Sequence, residues 1–485
     1  MRLAGAGDLV RRHLARSCHS FKHVAHARRL ASSNAVAWGA NDDGRLGIAC
    51  ALGVEYVRTR STRLIDRVSQ LLLRPHEVFD NPFINDSSTV HTPKCVGDIG
   101  EDALPVVYDQ VSCGPSHTLL LDSQGRVFAC GDNAYGQLGL GFAGDCIFHP
   151  LPVTFDRGAP RVVAVAAGHS HSLFVLENGE VYSCGLGHHG QLGIRPPDAS
   201  RGLRDLLVVI PTRIDALCDA KVRIDMVAAG DNFSLALESA TGKVFSFGVL
   251  DRLGHNELPH KQMFRSMATV FRTSATNEPL PRLIVALKDK RIDRIWAGPW
   301  GAYASSSTDR KTFSWGRGID FFHGDRHELD HAEPQQVRAL DGVEVCGFSS
   351  SGSHHGAVTA SGRLLMWGSN MNNCLGIDED RLASVRHSEP IHLESLPDTS
   401  HFHAGFRFSA AVSQGQVYSW GCGESGARGI GFGYSARTPE LVRDSSLIPE
   451  HQATTQYLTE HQHTFPPLRA RAVSGGYMHC IALKP

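Results

Sequence analysis

The chain has almost no net charge: 48 Lys and Arg against 49 Asp and Glu leave -1 over 485 residues. With no global field to attract nucleic acid or an anionic membrane, any such binding has to be local. Arg far outnumbers Lys, a choice that suits bidentate phosphate contacts but also follows from a GC-rich genome. No apolar run is long enough to span a bilayer, so no membrane helix is expected. Twelve cysteines are present without one C-x-x-C pair. Cys113, Cys130, Cys184, Cys346 and Cys422 sit in or beside strand-like runs, which reads as reduced thiols packed as small apolar groups. Cys184 with His188 and His189 falls short of a metal ligand set. The chain also lacks GxxxxGK[ST], HExxH, GxSxG and a dinucleotide fingerprint, so no catalytic residue, cofactor or metal is expected.

What the chain has is a doublet, repeated seven times. One half is a short β-type run ending in glycine: VAWG at Gly39, VFACG at Gly131, VYSCG at Gly185, VFSFG at Gly248, TFSWG at Gly316, LLMWG at Gly368 and VYSWG at Gly421. The other half is marked by Gly114, Gly168, Gly230, Gly298, Gly352, Gly405 and Gly476, as in VSCGPSHTLLL, VAAGHSHSLFVL and VSGGYMHCIAL. The first set is spaced by 92, 54, 63, 68, 52 and 53 residues, a period of roughly 50 with insertions in the longer intervals. His117, His171, His354 and His479 recur at one place in the repeat, which points to satisfied histidines between repeat units rather than to catalysis.

Each unit reads as four strands: a proline-led strand such as HPLPV or IPTRI, the second-half glycine strand, a strand through His-Ser or its substitute, and the aromatic-Gly strand. Proline, which lacks a ladder donor, belongs on an edge. Asn178-Gly179 and Ser361-Gly362 supply hairpin turns. VAWG has no partner before it and VSGGYMHCIAL no aromatic-Gly strand after it; a linear array would expose both as open edges, whereas a ring joins them in one blade. The expected fold is all-β, a closed seven-bladed propeller of four-stranded blades with short helical insertions.

The AAGHSHSLFVL, NGEVYSCG and GHHGQLG segments, with the proline-led strand, resemble the repeat of the regulator of chromosome condensation family over about Ala35 to Pro485. The resemblance implies a propeller and a choice of roles. Members include guanine-nucleotide exchange factors for small GTPases, a plant ultraviolet photoreceptor, ubiquitin-ligase accessory domains, and mitochondrial proteins associated with ribosome assembly and organelle RNA. The photoreceptor's Gly-Trp-Arg-His-Thr run is absent, so a light sensor is not expected. The middle units depart from the pattern at VLDRLG, at RGIDFFHG and at AGPWGAYAS, which lacks the His-Ser step. Drift in tolerant loops accounts for this; a partner-binding sector is the alternative.

The first 33 residues carry Arg2, Arg11, Arg12, Arg16, Lys22, Arg28 and Arg29 against Asp8 alone, with apolar residues at helix-compatible spacings. This resembles a mitochondrial presequence, with a nuclear basic tail as the alternative. The expected layout is 1-33 for targeting and 34-485 for the propeller, with insertions near 48-91, 255-279 and 443-466. In the first insertion a helix with Arg63, Arg67 and Arg74 on one face is expected, and in the second a helix with Met263, Phe264 and Met267. Both faces are candidate partner-binding surfaces. The function expected is a noncatalytic mitochondrial scaffold in ribosome assembly or RNA metabolism, a monomer holding ribosomal or RNA-processing proteins, with RNA touched through local Arg patches. Exchange activity on a small GTPase is the alternative, since it needs a surface rather than bond-making residues.

Overall fold

Strands whose two faces are both covered have to be apolar or small throughout, and the second strand of each unit is written that way. The computed structural model describes residues 34–40, 89–95, 106–196, 203, 206–256, 277–378, 386–423, 427–430, 435–444 and 465–485. These form seven four-stranded antiparallel sheets. Blades 1 to 6 span 108–152, 162–213, 226–283, 294–336, 345–392 and 399–441, and blade 7 joins 472–483 to 35–40 and 89–95. The second strands His117–Asp122, His171–Leu176, Gly301–Ser306, His354–Thr359 and Phe408–Ser413 are buried along their whole length.

The pleat sends alternate side chains to opposite neighbours. Leu119 and Leu121 of blade 1 pack with Phe174 and Tyr182 of blade 2, while Leu120 packs with Ile481 and Leu483 of blade 7. The core is therefore a set of slabs between blades, each buried leucine contributing about 2 kcal/mol. Among the described residues no helix is long and apolar enough to cross a membrane.

Blade 7 closes the ring. Its strand order from the outside is Thr89–Cys95, Ala35–Ala40, His479–Leu483, Ala472–Gly475, so two strands come from each end of the propeller. Val36 pairs with Ala482 and Trp38 with Cys480. Asn34 ties this seam to blade 1, its side chain accepting from the Tyr108 amide at 2.8 Å and donating to the Tyr108 carbonyl at 3.0 Å.

The phase of the repeat differs from the sequence reading. The proline-led strand does not begin a unit; it is the outer, fourth strand of the blade before. Ile210, Pro211 and Thr212 lie in Leu207–Arg213, which pairs with the aromatic-Gly strand Val181–Leu186. The glycine-rich segment from Gly185 links the third strand to this outer one. Proline is placed as its chemistry requires, since the outer strand has a free edge. The outer strands also start inside two ranges read as insertions, at Thr89 and at Asn277.

Adjacent blades are locked at one carbonyl. In the described third-to-outer loops it lies two residues before a loop glycine: Arg252, Phe322, Cys374 and Ala427 precede Gly254, Gly324, Gly376 and Gly429. The next blade's tryptophan donates its indole N–H to it: Trp315 to Arg252 at 3.1 Å, Trp367 to Phe322 at 3.4 Å, Trp420 to Cys374 at 2.7 Å and Trp38 to Ala427 at 2.8 Å. In the first two blades the acceptors are Gln137 and Gln191, reached by Ser172 and Ser234, both at 2.7 Å. Loop and ring touch closely: a Cβ on Gly376 would lie 2.8 Å from the Trp420 nitrogen.

A histidine completes the lock at three boundaries. His117 Nε2 meets Ser172 Oγ at 3.0 Å, His171 meets Ser234 at 2.9 Å, and His354 meets Ser409 at 2.8 Å. Each serine already gives its one proton to a carbonyl, so the histidine Nε2 must donate. His117 and His171 therefore carry a bare lone pair on Nδ1, and protonating it would bury an N–H with no acceptor in reach. Burial, reinforced by neighbouring histidines, pushes all three down to about 3.

Two consequences follow. Deleting Val473–Pro485 removes the inner half of blade 7, and the ring is expected to lose its single cooperative melt by circular dichroism; unchanged melting would contradict closure. The buried histidines make stability acid-sensitive. Unfolded imidazoles titrate near 6.5 and the folded ones near 3, so the unfolded chain binds more protons below 6.5. Stability is whole above that pH and falls as pH drops toward 3, by roughly 1 kcal/mol per pH unit for each histidine. Melts between pH 7.5 and 4.5 should show this slope, and His354→Phe, the residue blade 6 has at Phe408, should shallow it. An unchanged slope in that variant would argue against the assignment.

Candidate functional site

The inner strands of all seven blades surround a central channel, with a cavity of about 350 Å³. Antiparallel order puts two kinds of connection on one face: the turns from inner to second strand and the loops from third to outer strand. This is the loop face. Each turn is closed by an amide-to-carbonyl bond spanning three residues, as from Gly168 to His171 at 2.9 Å.

The turn glycines are required by neighbours rather than by backbone angle. A Cβ on Gly168 would sit 2.3 Å from the His171 ring and 2.8 Å from the Gly230 carbonyl of the next blade. Gly114, Gly230, Gly298, Gly405 and Gly476 occupy the same position. Gly352 does not. In blade 5 the bond to the His354 carbonyl comes from Ser351, so the repeat position is one residue earlier than the sequence reading placed it. Gly352 instead accepts from the Trp300 indole at 3.0 Å. The third-strand glycines share a register: Gly39, Gly131, Gly185, Gly248, Gly316, Gly368 and Gly421 pair with His479, His117, His171, Phe233, Gly301, His354 and Phe408. Gly185 holds φ +108°, where a side chain would strain the backbone.

The residue after each turn position forms a ring around the channel mouth: Pro115, His169, Asp231, Pro299, Gly352, Phe406 and Tyr477. Part of it is an aromatic and charged arc. Arg407 lies over the Phe406 ring at 5.6 Å, Phe406 is 5.9 Å from Tyr477, and Tyr477 is 6.3 Å from His169. His169 faces Asp231 with Nδ1 and Oδ1 3.7 Å apart, an ionic contact too long for a good hydrogen bond. Pairing with Asp231 holds the His169 imidazole above its ordinary value against the opposing effect of burial. Two main-chain bonds fix the arc across blade boundaries: Phe406 N–H to the Tyr477 carbonyl at 2.8 Å and His169 N–H to the Gly230 carbonyl at 3.3 Å.

Beside the arc lies the degenerate sector. Its boundaries lack the His-Ser step, because Phe233 faces Ala302 between blades 3 and 4 and Gly301 stands in blade 4. The loop of blade 3 carries Asp251 and Arg252. Arg317 of blade 4 donates to Asp251 Oδ2 at 2.7 Å, and Arg252 Cζ lies 5.4 Å from the Trp300 ring centroid.

The candidate partner-binding residues Arg63, Arg67, Arg74, Met263, Phe264 and Met267 lie outside the described residues, as do the targeting segment and most of the third insertion. Cys184, considered for a metal, is buried and points its thiol at the Gln137 carbonyl at 3.5 Å; burial raises its pKa well above the usual thiol range. Apart from Gly352, read as a repeat glycine, the mouth residues were not singled out by sequence because each belongs to a different blade, 53 or more residues from its neighbour in the ring. The available signal was the variable residue directly after each repeat glycine.

Comparison with known proteins fits this architecture. The chain is 27% identical to the ultraviolet-B receptor UVR8 of Arabidopsis thaliana over 343 residues, 70% of each chain. It is 31% identical over 279 residues to the RCC1-like G exchanging factor-like protein of Mus musculus, covering 55% of this chain and spanning only 54% of that relative. Among solved structures, Prp20p of Saccharomyces cerevisiae, described with its binding properties to Gsp1p and histones, superposes with a TM-score of 0.66 at 20% identity, covering 92% of this chain and 90% of that one. At that identity the likeness concerns the fold. The RCC1-like domain profile matches residues 34–482, nearly the whole propeller, and the chain belongs to the RCC1-like domain family.

Proposed function

We propose that this chain is a noncatalytic protein-interaction propeller that binds its partner on the loop face, at the channel mouth. The observation that carries the reading is the arc Arg407, Phe406, Tyr477 and His169, held rigid by main-chain bonds between blades. Aromatic and Arg side chains on a rigid surface are the types that anchor protein interfaces. Phe406 keeps 37% of its surface exposed, so this ring is offered to solvent rather than used in the core. Exchange on a small GTPase is the second reading, favoured by the mouse relative's name. It would use the same face, binding the nucleotide-free GTPase better than the loaded form.

The basic first 33 residues support action in mitochondria, with ribosomal or RNA-processing proteins as the partner class of the scaffold reading. Fractionation with N-terminal sequencing is expected to find the protein in mitochondria, shortened near Ser33. Recovery from nuclei with Met1 intact would reject this.

The face is tested by affinity capture with the double variant Phe406→Ala, Tyr477→Ala beside Val285→Ser, a control at an exposed residue after the outer strand of blade 3. Partners should be lost only from the double variant. Equal capture by both would remove the loop-face reading. A single GTPase enriched after nucleotide stripping would select exchange over scaffolding.

A further inference from the structure

Among the described residues, one buried charge lacks the hydrogen bonds its burial requires. The loop position whose carbonyl locks the next blade is taken by Gln137, Gln191, Phe322, Cys374 and Ala427 in five blades, all buried. In blade 3 it is Arg252, whose side chain retains 8% exposure. Where Gln stands, it serves its own loop: Gln137 accepts from the Tyr135 amide and donates to Asp132, both at 2.9 Å. Arg252 makes no such bonds. Its Nε and Nη1 are buried with no hydrogen-bond partner.

The acid next to it does not neutralise it well. Asp251 Oδ1 stands 3.7 Å from Arg252 Nε, beyond hydrogen-bond distance, and is itself without a partner. The other oxygen, Oδ2, is held by Arg317 at 2.7 Å. A guanidinium in this state is costly to keep unless something else meets it. Burial pulls Arg252 below its ordinary range, with Asp251 and Asp231 only partly opposing.

The setting is that of a prepared receptor. Trp300 lies against the guanidinium, and its own indole is fixed by the Gly352 carbonyl across the blade 4 to blade 5 boundary. Asp231 and Tyr477, which line the channel cavity, are within electrostatic reach of Arg252. We propose that Arg252 is an anion hook that receives a carboxylate side chain from an acidic stretch of a protein partner entering the channel mouth. A carboxylate can meet the guanidinium through a charge-assisted hydrogen bond. A doubly charged phosphate would meet Asp231 and Asp251 at close range, and the aromatic arc offers a peptide apolar contact on either side of its acid. The hook rests on the reading of the loop face as a protein-binding surface.

Arg252→Gln tests it, because Gln already fills this position in blades 1 and 2. Fluorescence anisotropy at low salt would follow labelled hexaglutamate, hexaglutamine and hexauridylate on the full chain. The expected result is hexaglutamate binding that weakens about tenfold in Arg252→Gln, the loss of one charge-assisted contact. The variant should melt at the same temperature or higher, since it removes a buried charge that lacks hydrogen bonds at Nε and Nη1. Equal affinity in both proteins, no binding of hexaglutamate, tighter binding of hexauridylate, or a lower melting temperature in the variant would each overturn the hook. The face reading fails separately: partner capture lost with Phe406→Ala, Tyr477→Ala but kept with Arg252→Gln would reject the hook and leave the face.

Discussion

The propeller depends on a single carbonyl per blade. At the end of each described third-to-outer loop that oxygen accepts from the next blade, through an indole N–H, a serine hydroxyl or both. Cys374 accepts from Trp420 and Ser409 together, at 2.7 and 2.8 Å. The bond does three things at once. It satisfies a loop carbonyl that burial would otherwise leave bare, it fixes the spacing between sheets, and at three boundaries it sets the tautomer of the histidine behind the serine. Apolar slabs provide most of the driving force for stacking blades, but they are not directional. The polar lock supplies the register.

Between blades 3 and 4 Trp315 alone reaches the Arg252 carbonyl, as Trp367 and Trp38 alone cross to Phe322 and Ala427, with Ala302 at the serine position. That boundary carries the one charged side chain at the lock position among the described loops. The degenerate sector and the channel mouth are adjacent, so relaxed repeat chemistry and unspent polar groups coincide. A surface assembled this way can hold a partner without any bond-making residue.

Much of the fold was legible because a propeller repeats. Seven glycine-ended runs, five aromatic-Gly and two Cys-Gly, with seven partners and two unmatched ends are enough to count blades and to require closure. The phase of the repeat was not legible. A proline-led strand after a loop can close one blade or open the next with the same local sequence, and only the pairing of Leu207–Arg213 with Val181–Leu186 decides. The shift from Gly352 to Ser351 has a similar cause. Two residues of the run Ser-Gly-Ser satisfy the spacing, and the amide that bonds the His354 carbonyl identifies the turn.

The sequence by itself determined the fold class, the blade number and the absence of an organised set of catalytic motifs, because strand alternation, turn glycines and motif spacings are local properties that survive without coordinates. It also suggested the histidines as architecture, since a residue that recurs at one position in four of the seven copies is not special to one site. Only the tertiary structure decided what the variable residues do. His169, Asp231, Phe406 and Tyr477 come from four blades and meet because the ring brings successive turns together around one axis. Arg252 reads as an ordinary loop arginine in the chain, and its burial without hydrogen bonds at Nε and Nη1 exists only once Trp300, Asp251 and Arg317 are folded around it.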